Sequence, residues 1–123
     1  MSEKPIYWIG GSKEELRKFP EDVIRNMGYQ LSFLQHGLKP TDAKKVPGVG
    51  SSVFELREQD ADGWYRVVYA TVVDDAIGVL YCFQKKQNSI TNQQMKTIKG
   101  RYQDYTSALK ERAKNGNKTK TDR

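Results

Sequence analysis

The sequence predicts an α+β domain, which is a small, twisted and mainly antiparallel sheet with an N-terminal helical hairpin and a C-terminal helix. Three observations predict it. Apolar residues recur at helical spacing from Val23 to Leu34 and again from Met95 to Leu109. Segments rich in β-branched and aromatic residues lie between these two stretches and are joined by turn sequences. The predicted element order is β-αα-βββ-α, with the helices covering one face of the sheet.

The N-terminal part predicts one strand and two helices. The segment "PIYWI" at 5–9 is short and rich in β-formers, and Gly10 follows it, so we expect an edge strand. Ser12 and Glu15 stand at capping-box spacing and predict the start of a short helix. The second helix is expected from Pro20 to His36, because a proline fits the first turn of a helix.

The middle of the chain predicts a long loop and then a meander of three strands. Residues 38–52 are rich in Gly, Pro and Lys and are expected to form the loop. The three predicted strands are "VFELRE" (53–58), "WYRVVYATVV" (64–73) and "IGVLYCF" (77–83). Thr91 and Gln94 form a second capping box, which predicts the start of the C-terminal helix.

Length and charge favour a single domain with a basic end. The chain has 123 residues and a net charge of +6, which fits one domain with one core. About +4 of this charge lies after Leu109, where the sequence is polar and of low complexity. We predict a folded domain over residues 1–112 and a disordered basic tail over residues 113–123. No signal-peptide pattern and no apolar run of about 20 residues is present, so a cytoplasmic protein is expected.

Cysteine and histidine are too scarce for a ligand set. Cys82 is the one cysteine of the sequence and stands inside an apolar strand, so we interpret it as a small buried hydrophobe. The sequence contains one histidine and no paired-cysteine motif. We therefore expect neither a metal nor another cofactor.

A stretch without carboxylates follows the last predicted strand. Between Ala76 and Gln103 there is no Asp or Glu, whereas basic residues occur at Lys85, Lys86, Lys96, Lys99 and Arg101. Such a surface is typical of proteins that bind a polyanion or an acidic partner. A solvated face with a solubilising tail fits the charge equally well.

Strand alternation places charged residues together on the face of the sheet that we expect to be open. Phe54 and Leu56 of "VFELRE" should meet the helices, so Glu55 and Arg57 lie on the other face. Arg66 on the next strand can lie beside Arg57. We predict a groove with these two arginines on its floor and Lys85 and Lys86 at its edge. Guanidinium forks and ammonium groups in this arrangement bind phosphate.

Further candidates for contacts with RNA are Lys44, Lys45, Trp64, Lys96 and Lys99. Lysines contact the phosphates of a nucleic acid, and an indole can stack on a base. Plainer interpretations remain open for these residues and for the groove. Arg57 can form a surface ion pair, Lys85 and Lys86 can protect a strand end, Trp64 can be a core residue, and Lys96, Lys99 and Arg101 can form a solvated helix face.

The segments "FELRE", "GWYRVVY" and "VLYCFQKKQNSIT", preceded by "GYQLSFLQHGLKPTDAKKVPGVG", resemble the phage-derived HigB-like branch of the RelE/ParE toxin superfamily. The resemblance covers about residues 6–109. It implies the toxin of a type II toxin–antitoxin system, which is a ribosome-dependent mRNA endonuclease neutralised by a cognate helix-turn-helix antitoxin. Arg66 matches the phosphate-contacting arginine of the superfamily. Arg57 and Lys86 match basic positions on the preceding strand and after the last strand.

The mechanism that we expect is metal-independent RNA cleavage, in which the ribose 2′-OH attacks the adjacent phosphorus. Arg57 and Arg66 would stabilise the developing charge, and Lys85 or Lys86 would assist the leaving oxygen. Glu55 is the candidate base, because it is the carboxylate that the strand pattern places in the groove. Two alternatives share the sequence features: a gyrase-inhibiting toxin of the ParE kind, and a non-catalytic module that binds RNA or the ribosome.

Overall fold

The computed structural model describes residues 3–40, 42–73, 75–85 and 89–121, with side chains as far as Lys114. The elements in chain order are β1 (Ile6–Trp8), α1 (Ser12–Arg17), α2 (Glu21–Gln35), β2 (Ala43–Lys45), β3 (Val53–Asp60), β4 (Gly63–Ala70), β5 (Ile77–Lys85) and α3 (Asn92–Thr121). The predicted α+β class is confirmed. The predicted strands and helices are all present, and β2 is added to them.

The five strands form one sheet in the order β1-β5-β4-β3-β2. Strand β1 runs parallel to β5, and the other neighbours are antiparallel. Strand β2 lies within the segment that the sequence predicts as a loop, so the loop prediction is wrong at that point. Its sequence, Ala43 to Lys45, has no apolar alternation, and all three residues are exposed. It is a strand because its backbone pairs with β3, and sequence patterns do not record such pairing.

Helices cover both faces of the sheet, which corrects the predicted single covered face. The α1–α2 hairpin packs on one face through Leu16, Phe19, Val23, Met27 and Leu31. Helix α3 packs on the opposite face through Ile98 and Tyr105, which contact Val53, Val68 and Leu80. Two separate apolar cores result, one on each side of the sheet.

The two predicted capping boxes have different outcomes. The box at the start of α3 is confirmed, because the Gln94 amide donates to Thr91 Oγ1 at 3.1 Å and the Thr91 amide donates to Gln94 Oε1 at 3.0 Å. The box at the start of α1 is wrong. Ser12 is fully buried and makes no side-chain cap, and the carboxylate of Glu15 turns away to another partner.

That partner is Arg101 of α3, and the two side chains form an edge clasp across β5. Arg101 donates to both carboxylate oxygens of Glu15, at 2.8 and 2.9 Å, and to the Leu80 carbonyl at 3.0 Å. The Cys82 amide donates to Glu15 Oε1 at 3.1 Å. Strand β1 ends at Trp8 and does not reach this part of β5. Glu15 and Arg101 therefore bind the Cys82 amide and the Leu80 carbonyl of β5, which a longer β1 would have bound. The interpretation of Arg101 as part of a solvated face is therefore wrong.

Two features of the sequence bear on the clasp. Gly10 has a φ of +57°, and a Cβ there would come within 2.7 Å of Arg101 Nε, so this position needs glycine. Cys82 is buried as predicted, at 3% exposure. Burial raises the pKa of the Cys82 thiol well above its usual range, and the nearby Glu15 carboxylate raises it further.

Helix α3 continues to Thr121, past the point at which the sequence predicts order to end. The division of the chain at residue 112 stays a prediction. Among the helices that the structure describes, none has the length and apolar character that would let it cross a membrane.

Candidate functional site

The face of the sheet that carries α3 also carries the charged residues singled out in the sequence. The register places three cross-strand pairs on this face: Arg57–Arg66, Lys44–Glu55 and Trp64–Lys85. Directly paired residues of antiparallel strands project to the same side. The expectation that both arginines share a face is therefore confirmed. The expectation that this face is open is wrong, because α3 and the segment that leads into β3 pack on it.

Arg66 and Glu55 form a buried ion pair on this face. Arg66 Nη1 contacts Glu55 Oε1, and the two residues are 3% and 6% exposed. The predicted position of Arg66 on a water-facing floor is therefore wrong. Glu55 Oε2 and Arg66 Nε are buried and have no hydrogen-bond partner among the described residues. The guanidinium carbon of Arg66 also lies 5.7 Å from the ring centre of Trp64.

Lys85 adds a second buried cation beside this pair. It is 4% exposed, and its ammonium lies 6.0 Å from the ring centre of Phe83. Burial lowers the pKa of Lys85 below its usual range, the Arg66 guanidinium lowers it further, and the Glu55 carboxylate opposes both effects. We call Glu55, Arg66 and Lys85 the charged cluster.

A surface hollow of about 270 Å³ lies beside the charged cluster. Its walls are Lys44, Lys45, Val46, Pro47, Glu55, Lys85, Ile90 and Met95. Two members of the charged cluster therefore reach the hollow, while Arg66 lies behind Glu55. The hollow is large enough for a phosphate group and small for a whole nucleotide chain, so a longer ligand has to continue over the rim.

Arg57 stands at the rim of this region and is less buried than Arg66. Arg57 Nη2 donates to Asp42 Oδ1 at 2.8 Å, and the side chains of Arg57 and Asp42 are 30% and 43% exposed. The sequence left open a surface ion pair for Arg57. That ion pair is present, and its partner is Asp42. Asp42 comes directly before β2, the strand that the sequence did not predict, so no local signal connected it with Arg57.

Two of the remaining predicted residues line the hollow, three do not, and one lies outside the described part of the chain. Lys44 and Lys45 are exposed on β2 and contribute to the wall. Trp64 is partly buried on the same face, and Lys96 and Lys99 are exposed on α3. Lys86 lies outside the described residues.

The chemistry of this arrangement is that of an anion site. Two cations and one carboxylate lie together on strands β3, β4 and β5 in a dry setting, where charges interact strongly. Within the described ranges, no group of three or more His, Cys, Asp or Glu residues could hold a metal ion. A larger hollow, of about 730 Å³, lies along Glu15, Lys18 and Asp62 and combines both signs of charge without a cationic cluster.

Comparison with known proteins places the chain in a family. The profile of the phage-derived, Gp49-like proteins matches residues 14–103, which is more than half of the chain. The chain belongs to the Gp49-like family. This family is of the RelE toxin type, so the superfamily predicted from the sequence is confirmed. The match includes β3, β4 and β5, which carry the charged cluster of this Gp49-like protein.

The solved structures include a similar chain in the RelBE2 toxin–antitoxin complex of Mycobacterium tuberculosis. It shares 15% identity with this Gp49-like protein at a TM-score of 0.47, and the alignment covers 71% of this chain and 97% of that chain. No curated protein matches the sequence significantly.

Proposed function

We propose that this RelE-like toxin acts in a type II toxin–antitoxin system as a ribosome-dependent mRNA endonuclease that needs no metal. The observation that carries the proposal is the charged cluster. A buried arginine, a buried lysine and a carboxylate with one unpartnered oxygen lie together beside a hollow of phosphate size. Buried polar atoms without partners are rare in folded proteins, and sites that bind a ligand are one place where they occur.

The roles follow from the positions of the three side chains. Glu55 Oε2 accepts the proton of the ribose 2′-OH while O2′ attacks the adjacent phosphorus. Arg66, released in part from Glu55 as that carboxylate becomes neutral, stabilises the charge on the phosphoryl oxygens. The bond from phosphorus to O5′ breaks, and Lys85 donates a proton to the leaving oxygen. The products are a 2′,3′-cyclic phosphate and a free 5′-OH.

The lowered pKa of Lys85 suits the role of proton donor. A general acid is most effective when its pKa lies close to the working pH, and burial moves the pKa of Lys85 in that direction. Arg57 at the rim exchanges Asp42 for the RNA phosphate next to the one that is cleaved. Orientation of the mRNA by the ribosome supplies the alignment that a shallow hollow does not provide by itself.

A cognate antitoxin with a helix-turn-helix domain is the partner that we propose, together with the ribosome and mRNA, in the cytoplasm. This proposal rests on the type of toxin to which the family belongs. Binding by such a partner over β2 or α3 would close the entrance to the hollow.

The test is controlled expression in a bacterial host, with growth measured and mRNA 5′ ends mapped. We expect growth arrest with new transcript ends, and loss of both in Arg66→Ala and in the gentler Arg66→Lys, by about 10²- to 10³-fold in cleavage rate. Arg17→Ala is the matched control, because Arg17 is exposed on α1 and pairs only with Glu14 among the described residues.

The outcomes separate the alternatives. Growth arrest that persists in Arg66→Ala, with intact transcripts, would overturn the nuclease proposal. If DNA damage is induced at the same time, the ParE-like gyrase inhibitor takes its place. RNA binding without growth arrest would indicate the non-catalytic module. Circular dichroism of each purified variant shows whether the fold is retained.

A further inference from the structure

The exposed surface of α3 is divided lengthwise into two flanks of different charge. One flank turns toward β1 and the edge of β5. It carries Arg101, which is held by Glu15, and Arg112, which pairs with Asp75 and contacts the Tyr7 hydroxyl. The arginines on this flank are thus paired with acids and serve the packing of the helix.

The other flank carries four lysines in two pairs, one near the start of the helix and one about three turns further along. Lys96, Lys99, Lys110 and Lys114 are exposed. At about 100° per residue, Lys99 and Lys110 differ by only about 20° around the helix axis, and Lys96 and Lys114 lie on the same side. The four residues form one stripe, which we call the lysine stripe. It is about 27 Å long at 1.5 Å per residue.

One acid, Glu111, stands at the margin of the lysine stripe and forms no described ion pair with it. The residues that share its flank are neutral, including Asn92, Gln103 and Thr106. Asp104 lies about 120° or more from Lys99 and Lys110, whereas Glu111 lies about 60° from Lys114. The described ion pairs include none with a stripe lysine.

The lysine stripe begins at the hollow. Met95 of α3 forms part of the hollow's wall. Lys96 directly follows Met95 in the sequence, and Lys99 lies one turn beyond Met95 on the same side of the helix. Positive charge therefore continues from Lys44 and Lys85 in the hollow along α3 as far as Lys114.

We propose that the lysine stripe is a second nucleic-acid contact, which binds the sugar–phosphate backbone of RNA where it leaves the hollow. Exposed lysines on one side of a helix make phosphate contacts that do not depend on base sequence. Lys114 extends the contact beyond residue 112, the predicted limit of the folded domain. This inference rests on the proposed function only in that the ligand is RNA.

The experiment measures binding of the full chain to 2′-O-methyl RNA, which lacks the attacking hydroxyl and cannot be cleaved by the proposed reaction. Fluorescence anisotropy gives Kd over a range of salt for a single-stranded probe and for a hairpin duplex of the same length. The variant is Lys110→Gln with Lys114→Gln. The control is Lys13→Gln with Lys18→Gln, which removes the same charge from exposed residues at α1 on the other side of the sheet.

We expect the slope of log K against log salt to fall in magnitude by about 1.4 for the α3 variant on the single strand, because each phosphate that a lysine neutralises contributes about 0.7 to the slope. The control variant should keep the slope of the unmodified protein. Lys110→Arg with Lys114→Arg should restore it, which separates removal of charge from damage to the helix. If the slope changes for only one of the two probes, that probe identifies whether the lysine stripe contacts single-stranded or duplex RNA.

Equal slopes for the α3 variant and the control on both probes would overturn the inference. That result is distinct from failure of the proposed function, which would appear as intact transcripts during growth arrest.

Discussion

Two arginine–carboxylate pairs hold the same sheet, and they differ in how completely they are satisfied. In the edge clasp, both oxygens of Glu15 accept hydrogen bonds from Arg101, and backbone groups of Leu80 and Cys82 complete the network. In the charged cluster, Arg66 makes one contact with Glu55, and each side chain keeps a buried atom without a partner among the described residues. The less satisfied pair is the more deeply buried one.

The difference indicates which pair serves stability and which serves binding. A complete network of charged hydrogen bonds stabilises a fold, whereas an incomplete buried network costs free energy. The charged cluster also contains a second buried cation, Lys85, which increases that cost. Folded proteins retain such costs mainly where a ligand completes the network. The predictions below test this contrast, in order of decreasing effect.

The largest effect is expected from Glu55→Ala, which leaves Arg66 and Lys85 as buried positive charges without the Glu55 carboxylate. We expect the free energy of unfolding to fall by about 3–5 kcal/mol, as for a buried ion pair that loses one member. Urea denaturation measures it. Phosphate at constant ionic strength should restore more of this stability than chloride does, because an oxyanion can replace the carboxylate.

Glu14→Ala is the matched control for this prediction, because Glu14 is 70% exposed and pairs with an exposed arginine. Its cost should stay below about 1 kcal/mol, and phosphate should make no specific difference. If Glu55→Ala were as stable as the unmodified protein, Glu55 would not compensate the buried charges of Arg66 and Lys85 as we infer.

Glu15→Ala should cost somewhat less, about 2–3 kcal/mol, because the clasp is partly exposed but the Cys82 amide and the Arg101 guanidinium both lose an acceptor. Thermal unfolding measures the change. At temperatures where the variant is folded, its affinity for RNA should equal that of the unmodified protein. Weaker RNA binding at those temperatures would show that the clasp belongs to the functional site.

The pH dependence of stability should report Lys85. Since folding lowers the pKa of Lys85, the unfolded chain binds more protons in the alkaline range. Stability therefore rises with pH from the folded-state pKa of Lys85 toward the ordinary lysine value of about 10.4. Lys85→Met should lose this rise. Urea unfolding midpoints of both proteins at several pH values measure this difference. Midpoints that change with pH in parallel for the two proteins would contradict the prediction.

The smallest effect is expected from Asp42→Asn at the half-exposed rim. The pair with Arg57 contributes less than about 1 kcal/mol in such a setting, so stability should change little. Affinity for RNA should rise, because Arg57 no longer has to leave a carboxylate. Anisotropy with the uncleavable RNA measures this, and unchanged affinity would place Arg57 outside the RNA contact.

The local elements could be predicted because each has its own sequence pattern. The Thr91 capping box, the apolar stripe of α2 and the alternation of β3 are read within a few residues of one another. The shared face of Arg57 and Arg66 followed from the same alternation together with a short turn. These features depend on neighbours in sequence, which is why the sequence was sufficient.

The errors concern contacts between residues that are far apart in sequence. Ser12 and Glu15 have capping-box spacing, but Glu15 binds Arg101, 86 residues away. Strand β2 exists through backbone pairing with β3, to which its exposed side chains give no clue. Arg66 is buried and paired with Glu55 on the face that α3 covers, whereas strand alternation alone had placed it in water.

The sequence by itself determined the types of the elements other than β2, the family and the set of charged residues on one face of the sheet, because period, turn chemistry and motif spacing are local properties. Only the tertiary structure decided which of those charges are buried and which carboxylate each arginine binds. Burial and ion pairing depend on what packs above a residue, and that is set by helix α3 and strand β2, which reach the site from distant parts of the chain.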